Sequence, residues 1–223
     1  MVMGAKRPAA TPKVVKNGAK RKLGRGASAA LTMKLRVGID KLPKSTKEMR
    51  CCIGDLFSEF LGVQLPVNGK QGVLVVSTEG RGGCPKFNKY AGYAAFQNAV
   101  ILFANAGVEG FDNTFTQGGE VVPWFVGGRA KLESEIVQRL KKDLEDADAA
   151  RPVLFFCRRG THPYVFCGQV TLAKFSPKVP GIRFDLRLLD FPILKTSVDF
   201  AALVGEKVPW AKQMVRKHLA GVD

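Results

Sequence analysis

Between Pro152 and Asp190 the sequence holds three apolar stretches in close succession: PVLFFCR, YVFCGQVTLA and GIRFDLRLLD. They are rich in the branched and aromatic residues that suit a pleated, half-buried surface, and each reads as a strand. The first two flank a polar turn in CRRGTHPY, where Gly160 and Pro163 set the change of direction. If the strand continues through the arginines, Arg158 and Arg159 point to opposite faces. One then stays near the sheet and the other faces solvent. A rim of Arg158, Arg159 and His162 suits phosphate oxygens. A solvated hairpin tip is the competing reading.

Around these strands the pattern alternates irregularly. STKEMRCCIGDLFSEFLG opens with Ser45 and Glu48 in capping-box spacing, and Ile53, Leu56, Phe57, Phe60 and Leu61 follow at helical intervals. GVLVVST reads as a short buried strand, EGRGGCPKFNK as a Gly-rich loop, and YAGYAAFQNAVILFANAG as a second helix. NTFTQGGEVVPWFV resembles a hairpin turning at Gly118-Gly119. ESEIVQRLKKDLEDADA is an amphipathic helix, and SVDFAALVG and VPWAKQMVRKHLAG are terminal helices. There is no internal repeat and no regular strand–helix alternation. The expected fold is α+β: a small, bent or barrel-like, mainly antiparallel sheet built from residues 111 to 190, with flanking helices.

Charge divides the chain. Of 35 Lys+Arg against 19 Asp+Glu, ten basic residues and no acid fall in residues 1 to 39; Asp40 is the first acid. The overall +16 points to a polyanionic partner, nucleic acid before an anionic membrane. Residues 1 to about 34 offer too little apolar surface to offset chain entropy and are expected to be disordered. The expected divisions are a basic tail at 1–39, a helical or mixed part at 40–110 and a β-rich part at 111–223.

Within the tail, Lys6-Arg7 and Lys20-Arg21-Lys22 are separated by twelve residues. The spacing, and the opening KRPAAT, resemble a bipartite nuclear localisation signal of the nucleoplasmin kind, which implies a nuclear import receptor as partner. Clustered basic residues fit acidic grooves on such a receptor and also hold phosphates without reading sequence. The alternative is an organellar transit peptide, mitochondrial or plastid, although such peptides favour Arg and Ser. A solvated tail with no address is the third reading. No apolar run reaches the ~20 residues of a membrane span, and no secretory signal is expected.

The five cysteines are odd in number and sit in apolar contexts, which fits reduced thiols. Cys157 or Cys167 with His162 would nominate a nucleophile and base. Alternation in an apolar strand makes both cysteines core residues instead. No Cys/His set has zinc spacing, so no metal, catalytic residue or cofactor is expected. The loop around Gly80, Gly82 and Gly83 lacks the P-loop Lys-Ser/Thr, but Arg81 and Lys86 on it are candidate phosphate contacts.

Aromatic residues lie near basic ones in the sequence: Trp124 and Tyr164 beside Arg129, Lys131, Arg158 and Arg159. A base removed from its stack can lie on an aromatic face while arginines hold the flanking phosphates. Filling the core is the alternative role for both rings.

Residues 112 to about 194, through DNTF, PWF, SEIVQRL, VLFFCRRGTHPYVFCGQV and GIRFDLRLLD, resemble an uncharacterised domain found at the C-terminus of some bacterial superfamily II helicases. The resemblance implies a compact PUA-like module, a class used to bind RNA or modified DNA bases. The basic tail and the block 44 to 107 depart from that family, and there is no helicase motif. The expected function is therefore non-enzymatic nuclear nucleic-acid binding, DNA favoured over RNA, with a modified or flipped base as the object read. The alternatives are a structural RNA-binding subunit of an organellar or ribonucleoprotein particle and a small nucleic-acid-processing enzyme using His162 and a cysteine.

Overall fold

The computed structural model describes residues 44–78, 84–107, 113–127, 130–146, 148, 151–179 and 181–221. The basic tail, including Lys6, Arg7, Lys20, Arg21 and Lys22, lies outside the described residues, as do Arg81 and Arg129.

After a 3-10 turn at Thr46–Glu48 come helices α1 (Ile53–Phe60) and α2 (Gly69–Val76). Strands β1 (Tyr93–Ala95), β2 (Val100–Ala106) and β3 (Val121–Phe125) precede α3 (Glu135–Glu145). Then follow β4 (Val153–Arg159), β5 (Val165–Val179) and β6 (Gly181–Leu188). Three helices close the chain: α4 (Phe191–Leu194), α5 (Val198–Val204) and α6 (Pro209–Leu219).

The six strands form one sheet in the order β1-β2-β4-β5-β6-β3, curled into a half-barrel. Only the β2–β4 pair is parallel. The expected α+β class with a bent, mainly antiparallel sheet is what the chain adopts. Three register shifts bend it, one between β4 and β5 and two along the fifteen-residue β5. Each extra residue adds local twist. Trp124 on the edge strand β3 reaches across the curl and donates from Nε1 to the Phe103 carbonyl of β2 at 3.0 Å.

Each face of the sheet carries its own core. Val100, Leu102, Phe155, Cys157, Cys167, Phe184 and Trp124 pack under α3 and α5. On the opposite face Ile101, Phe103, Phe156, Tyr164 and Phe166 pack under α1 and α2.

This two-sided burial explains two departures from expectation. YAGYAAFQNAVILFANAG forms β1, a turn and β2, not a helix. Strand β2 feeds alternate side chains to two apolar layers, so its sequence is apolar without a two-residue period. The turn comes where Gln97 and Asn98 interrupt the run, closed by Phe96 N–H donating to Ala99 at 2.8 Å. GVLVVST, expected as a strand, forms the last turn of α2 and its C-terminal end at Ser77 and Thr78. Valine costs only about 0.6 kcal/mol in a helix relative to alanine. Burying Val73, Leu74 and Val75 outweighs that, at about 1.5–3 kcal/mol each. The Ser77 and Thr78 hydroxyls then bond back to the Val73 and Leu74 carbonyls, at 2.8 and 2.6 Å.

Two further boundaries shift. Ser45 caps only the 3-10 turn, and α1 starts at Ile53. The sheet is not confined to residues 111 to 190, because β1 and β2 belong to it. The turn at Gly118-Gly119 is present, but its upstream arm is a single bridge, Thr116 to Val121, and β3 pairs with β6. Pro123 is buried, and it sits on the edge strand β3, where a missing N–H costs no ladder bond.

Candidate nucleic-acid interface

The parallel register sets Asn105 of β2 beside Arg158 of β4, and Ala106 beside Arg159. The pleat then sends the two arginines to opposite faces, as the sequence implied. Arg158 is half-buried and lies over the Tyr164 ring, 4.9 Å from its centroid. Arg159 is exposed and reaches the other face, donating from Nη2 to the Leu203 carbonyl near the end of α5 at 3.0 Å. Cationic guanidinium is favoured there, where helix carbonyls lack partners. Gly160 turns the chain with φ of +57°, and His162 N–H closes the turn on the Arg159 carbonyl at 3.1 Å.

Arg158, Arg159 and His162 thus come together around one cavity of about 260 Å³, completed by Gln64, Asp199 and Leu203. The Asp199 carboxylate is engaged, accepting from the Gln64 backbone N–H at 2.8 Å. Arg158 has no carboxylate partner among the described residues, and its buried Nε has no acceptor. The neighbouring Asn105 Oδ1 is likewise buried without a donor, while its Nδ2 holds the Gly160 carbonyl at 3.2 Å. A second cation, Lys70 of α2, lies close by. Burial, and then the charge of Arg158, lower its pKa. Two cations crowded together, neither ion-paired among the described residues, form a place where an anion is favoured.

Not every candidate joins this site. Trp124 and Tyr164 are each 2% exposed, which corrects the expectation that they shape a pocket for a base. Trp124 fastens the curl of the sheet and Tyr164 supports Arg158 from beneath. Burial raises the pKa of the Tyr164 hydroxyl, with Arg158 opposing the shift. Lys86 and Lys131 are exposed but do not line the cavity; Lys86 lies in a separate groove with Ser45, Phe87 and Tyr93.

The two strand cysteines are core residues, fully buried and free. Burial pushes the Cys157 thiol up to about 12 and raises Cys167 well above the ordinary range. Neither presents a thiolate to His162, which is exposed on the turn. Among the described residues no three His, Cys, Asp or Glu side chains gather as metal ligands, and no helix is long and apolar enough to cross a membrane.

No family model matches the chain, and no curated protein matches it. Among solved structures it is similar to Arabidopsis thaliana SUVH6, crystallised in complex with SAM, at 16% identity and a TM-score of 0.29. The likeness covers 73% of this chain and 31% of that one, so the chain spans about a third of the SUVH6 structure. A TM-score that low specifies neither fold nor function.

Lys70 and Asn105 were not legible as site residues. Lys70 stands 88 positions before Arg158, in a segment whose composition favours strands. Asn105 sits in an apolar run where a polar residue marks nothing by itself. Both are recruited by β2–β4 pairing and by the packing of α2 on that face.

Proposed function

We propose that the chain is a non-enzymatic nucleic-acid-binding protein of the nucleus, with DNA favoured over RNA. The observation that carries this is the segregation of charge: ten Lys/Arg and no acid in residues 1 to 39. Arg158, Arg159 and Lys70 add cations that have no carboxylate partner among the described residues, where a phosphate is the fitting counter-charge. The tail supplies long-range attraction, and Lys6-Arg7 with Lys20-Arg21-Lys22 supply the address for an import receptor. The β-rich part supplies a more selective contact of PUA-like character. A catalytic role for His162 with a cysteine is disfavoured by the burial of both strand thiols.

Binding of a labelled 20-base-pair duplex, titrated at several salt concentrations, tests the electrostatic part. Affinity should fall steeply as salt rises. Arg158→Ala with Arg159→Ala should weaken binding to all sequences and reduce the salt slope by roughly two. Affinity indifferent to salt would overturn the electrostatic reading, and an unchanged slope in the double variant would remove the turn from the interface. Localisation is tested separately. A fluorescent protein fused behind residues 1–39 should enter the nucleus uncleaved, and Lys20→Ala with Arg21→Ala and Lys22→Ala should leave it outside. Cleavage of the fusion in an organelle would instead establish a transit peptide.

A further inference from the structure

The exposed large hydrophobic side chains among the described residues are Val63, Tyr90, Leu132, Leu189, Ile193 and Leu219, and Tyr90 is the one aromatic. At 84% exposed, its ring contributes nothing to the core. A lone surface aromatic needs no explanation. What distinguishes Tyr90 is how it is held and what surrounds it.

Its backbone is fixed on both sides. The Lys70 ammonium donates to the carbonyls of Lys89 and Ala91, the residues flanking Tyr90, at 3.1 and 2.7 Å. Asn88 Oδ1 accepts from the Tyr90 N–H at 3.0 Å, and the Gly92 carbonyl accepts from Phe103 of β2 at 2.8 Å. Gly92 also runs close under the Trp124 indole, where a side chain would meet the ring at 3.2 Å. The loop is therefore anchored at four points while the Tyr90 ring projects into solvent.

The surroundings are cationic. The Lys89 ammonium sits 5.0 Å from the Tyr90 ring centroid. Lys70 links the loop to the Arg158 site: it lies 5.5 Å from the Phe103 ring, Phe103 packs edge-on to Tyr164 at 5.5 Å, and Arg158 covers Tyr164. None of Lys70, Lys89 and Arg158 has an ion pair among the described residues. Lys70 commits two of its three N–H donors to the loop carbonyls and keeps one.

We infer that Tyr90 is a stacking platform for an unpaired base, and that Lys89, Lys70 and Arg158 meet the phosphates beside it, making the ligand at this site a single-stranded nucleic acid. This deepens the nucleic-acid reading above and rests on it. Bases inside a duplex already cover one another and leave no face for an exposed ring. In a single strand each base has a free face, and such stacking is sequence-tolerant.

The full chain, Tyr90→Ala and Tyr90→Phe are compared for binding a labelled 20-nucleotide thymidine strand and a 20-base-pair duplex at the same salt. Tyr90→Ala should weaken single-strand binding by roughly 5- to 160-fold, the range set by the stacking of one base. Tyr90→Phe should stay within about twofold, because the ring face is kept. Duplex binding should be the same in all three proteins. Single-strand binding unchanged in Tyr90→Ala, or lost equally with duplex binding, would overturn the stacking assignment and leave the electrostatic reading standing. A wild-type chain that binds neither probe would overturn both. Because Tyr90 is exposed, neither substitution disturbs the core.

Discussion

Deleting residues 1–39 should remove most of the salt sensitivity of duplex binding. The full chain should lose about 10³- to 10⁵-fold in affinity between 50 and 200 mM salt if most of the ten tail cations displace counterions, since each contributes about 0.9 to the logarithmic slope. The chain from Asp40 onward keeps 25 Lys+Arg against all 19 Asp+Glu, a net of +6 over 184 residues. Its contact reduces to the few cations around the β4–β5 turn. With two or three phosphates neutralised, its affinity should fall only about 10- to 40-fold over the same range. The two proteins should therefore differ most at low salt and converge as salt rises. Fluorescence anisotropy at four salt concentrations reads both slopes. Equal slopes would place the working charge in the folded part and leave the tail as an address alone. The comparison also separates the roles of tail and turn: the tail sets how strongly any polyanion is drawn in, and Arg158 and Arg159 set how it is held once there.

What the sequence disclosed follows from how far apart the cooperating residues are. Strands β4, β5 and β6 are joined by short turns and carry their turn chemistry between them, so their pairing is a local property. The amphipathic stripe of α3, with Val137, Leu140 and Leu144 inward, is equally local. Strand β2 and helix α2 depart from what their sequences suggest because both are buried deeply enough to lose the contrast between faces. Once Val73, Leu74 and Val75 are all inside, composition is the remaining signal, and it favours strand. The site divides the same way. Arg158, Arg159 and His162 are neighbours in sequence and in space. Trp124 and Tyr164 were drawn into the site because they are near arginines along the chain. That proximity does not decide which way a ring points, and both point inward. Tyr90 and Lys70 carry no sequence signal, because what joins them, two carbonyls accepting from one ammonium, is a backbone contact that no residue pattern records.

Gly168→Ala should be among the most damaging single-methyl additions in the molecule. The register between β4 and β5 shifts between Leu154 and Phe156, and Gly168 lies at that irregularity with φ of +76°. A left-handed backbone costs a residue with Cβ about 1–2 kcal/mol. Space adds a second cost. A Cβ built on Gly168 would lie 2.9 Å from Cγ of Asp190 and 3.0 Å from its Cβ, and would meet Oδ2 directly. Asp190 cannot simply swing away. Its Oδ2 accepts from the Gln169 N–H at 2.9 Å, and its carbonyl accepts from Ile193 and Leu194 to start α4, both at 3.0 Å. Its carboxyl is raised from its ordinary value by burial, with the Gln169 N–H pulling the other way. Overpacking of a fixed site costs about 1–3 kcal/mol, so the total should be about 2–5 kcal/mol. In a domain of this size that lowers Tm by roughly 5–20 °C. Gly160→Ala is the matched control, because Gly160 also has positive φ, +57°, but an added Cβ there meets nothing within 4 Å. It should cost only the conformational part, about 1–2 kcal/mol. If thermal unfolding places the two variants within about 0.5 kcal/mol of each other, Asp190 is not the rigid wall described. If Gly168→Ala is far the worse, adding Asp190→Ala to it should restore part of the loss, since the truncated side chain clears the oxygen and Cγ that the new methyl would meet.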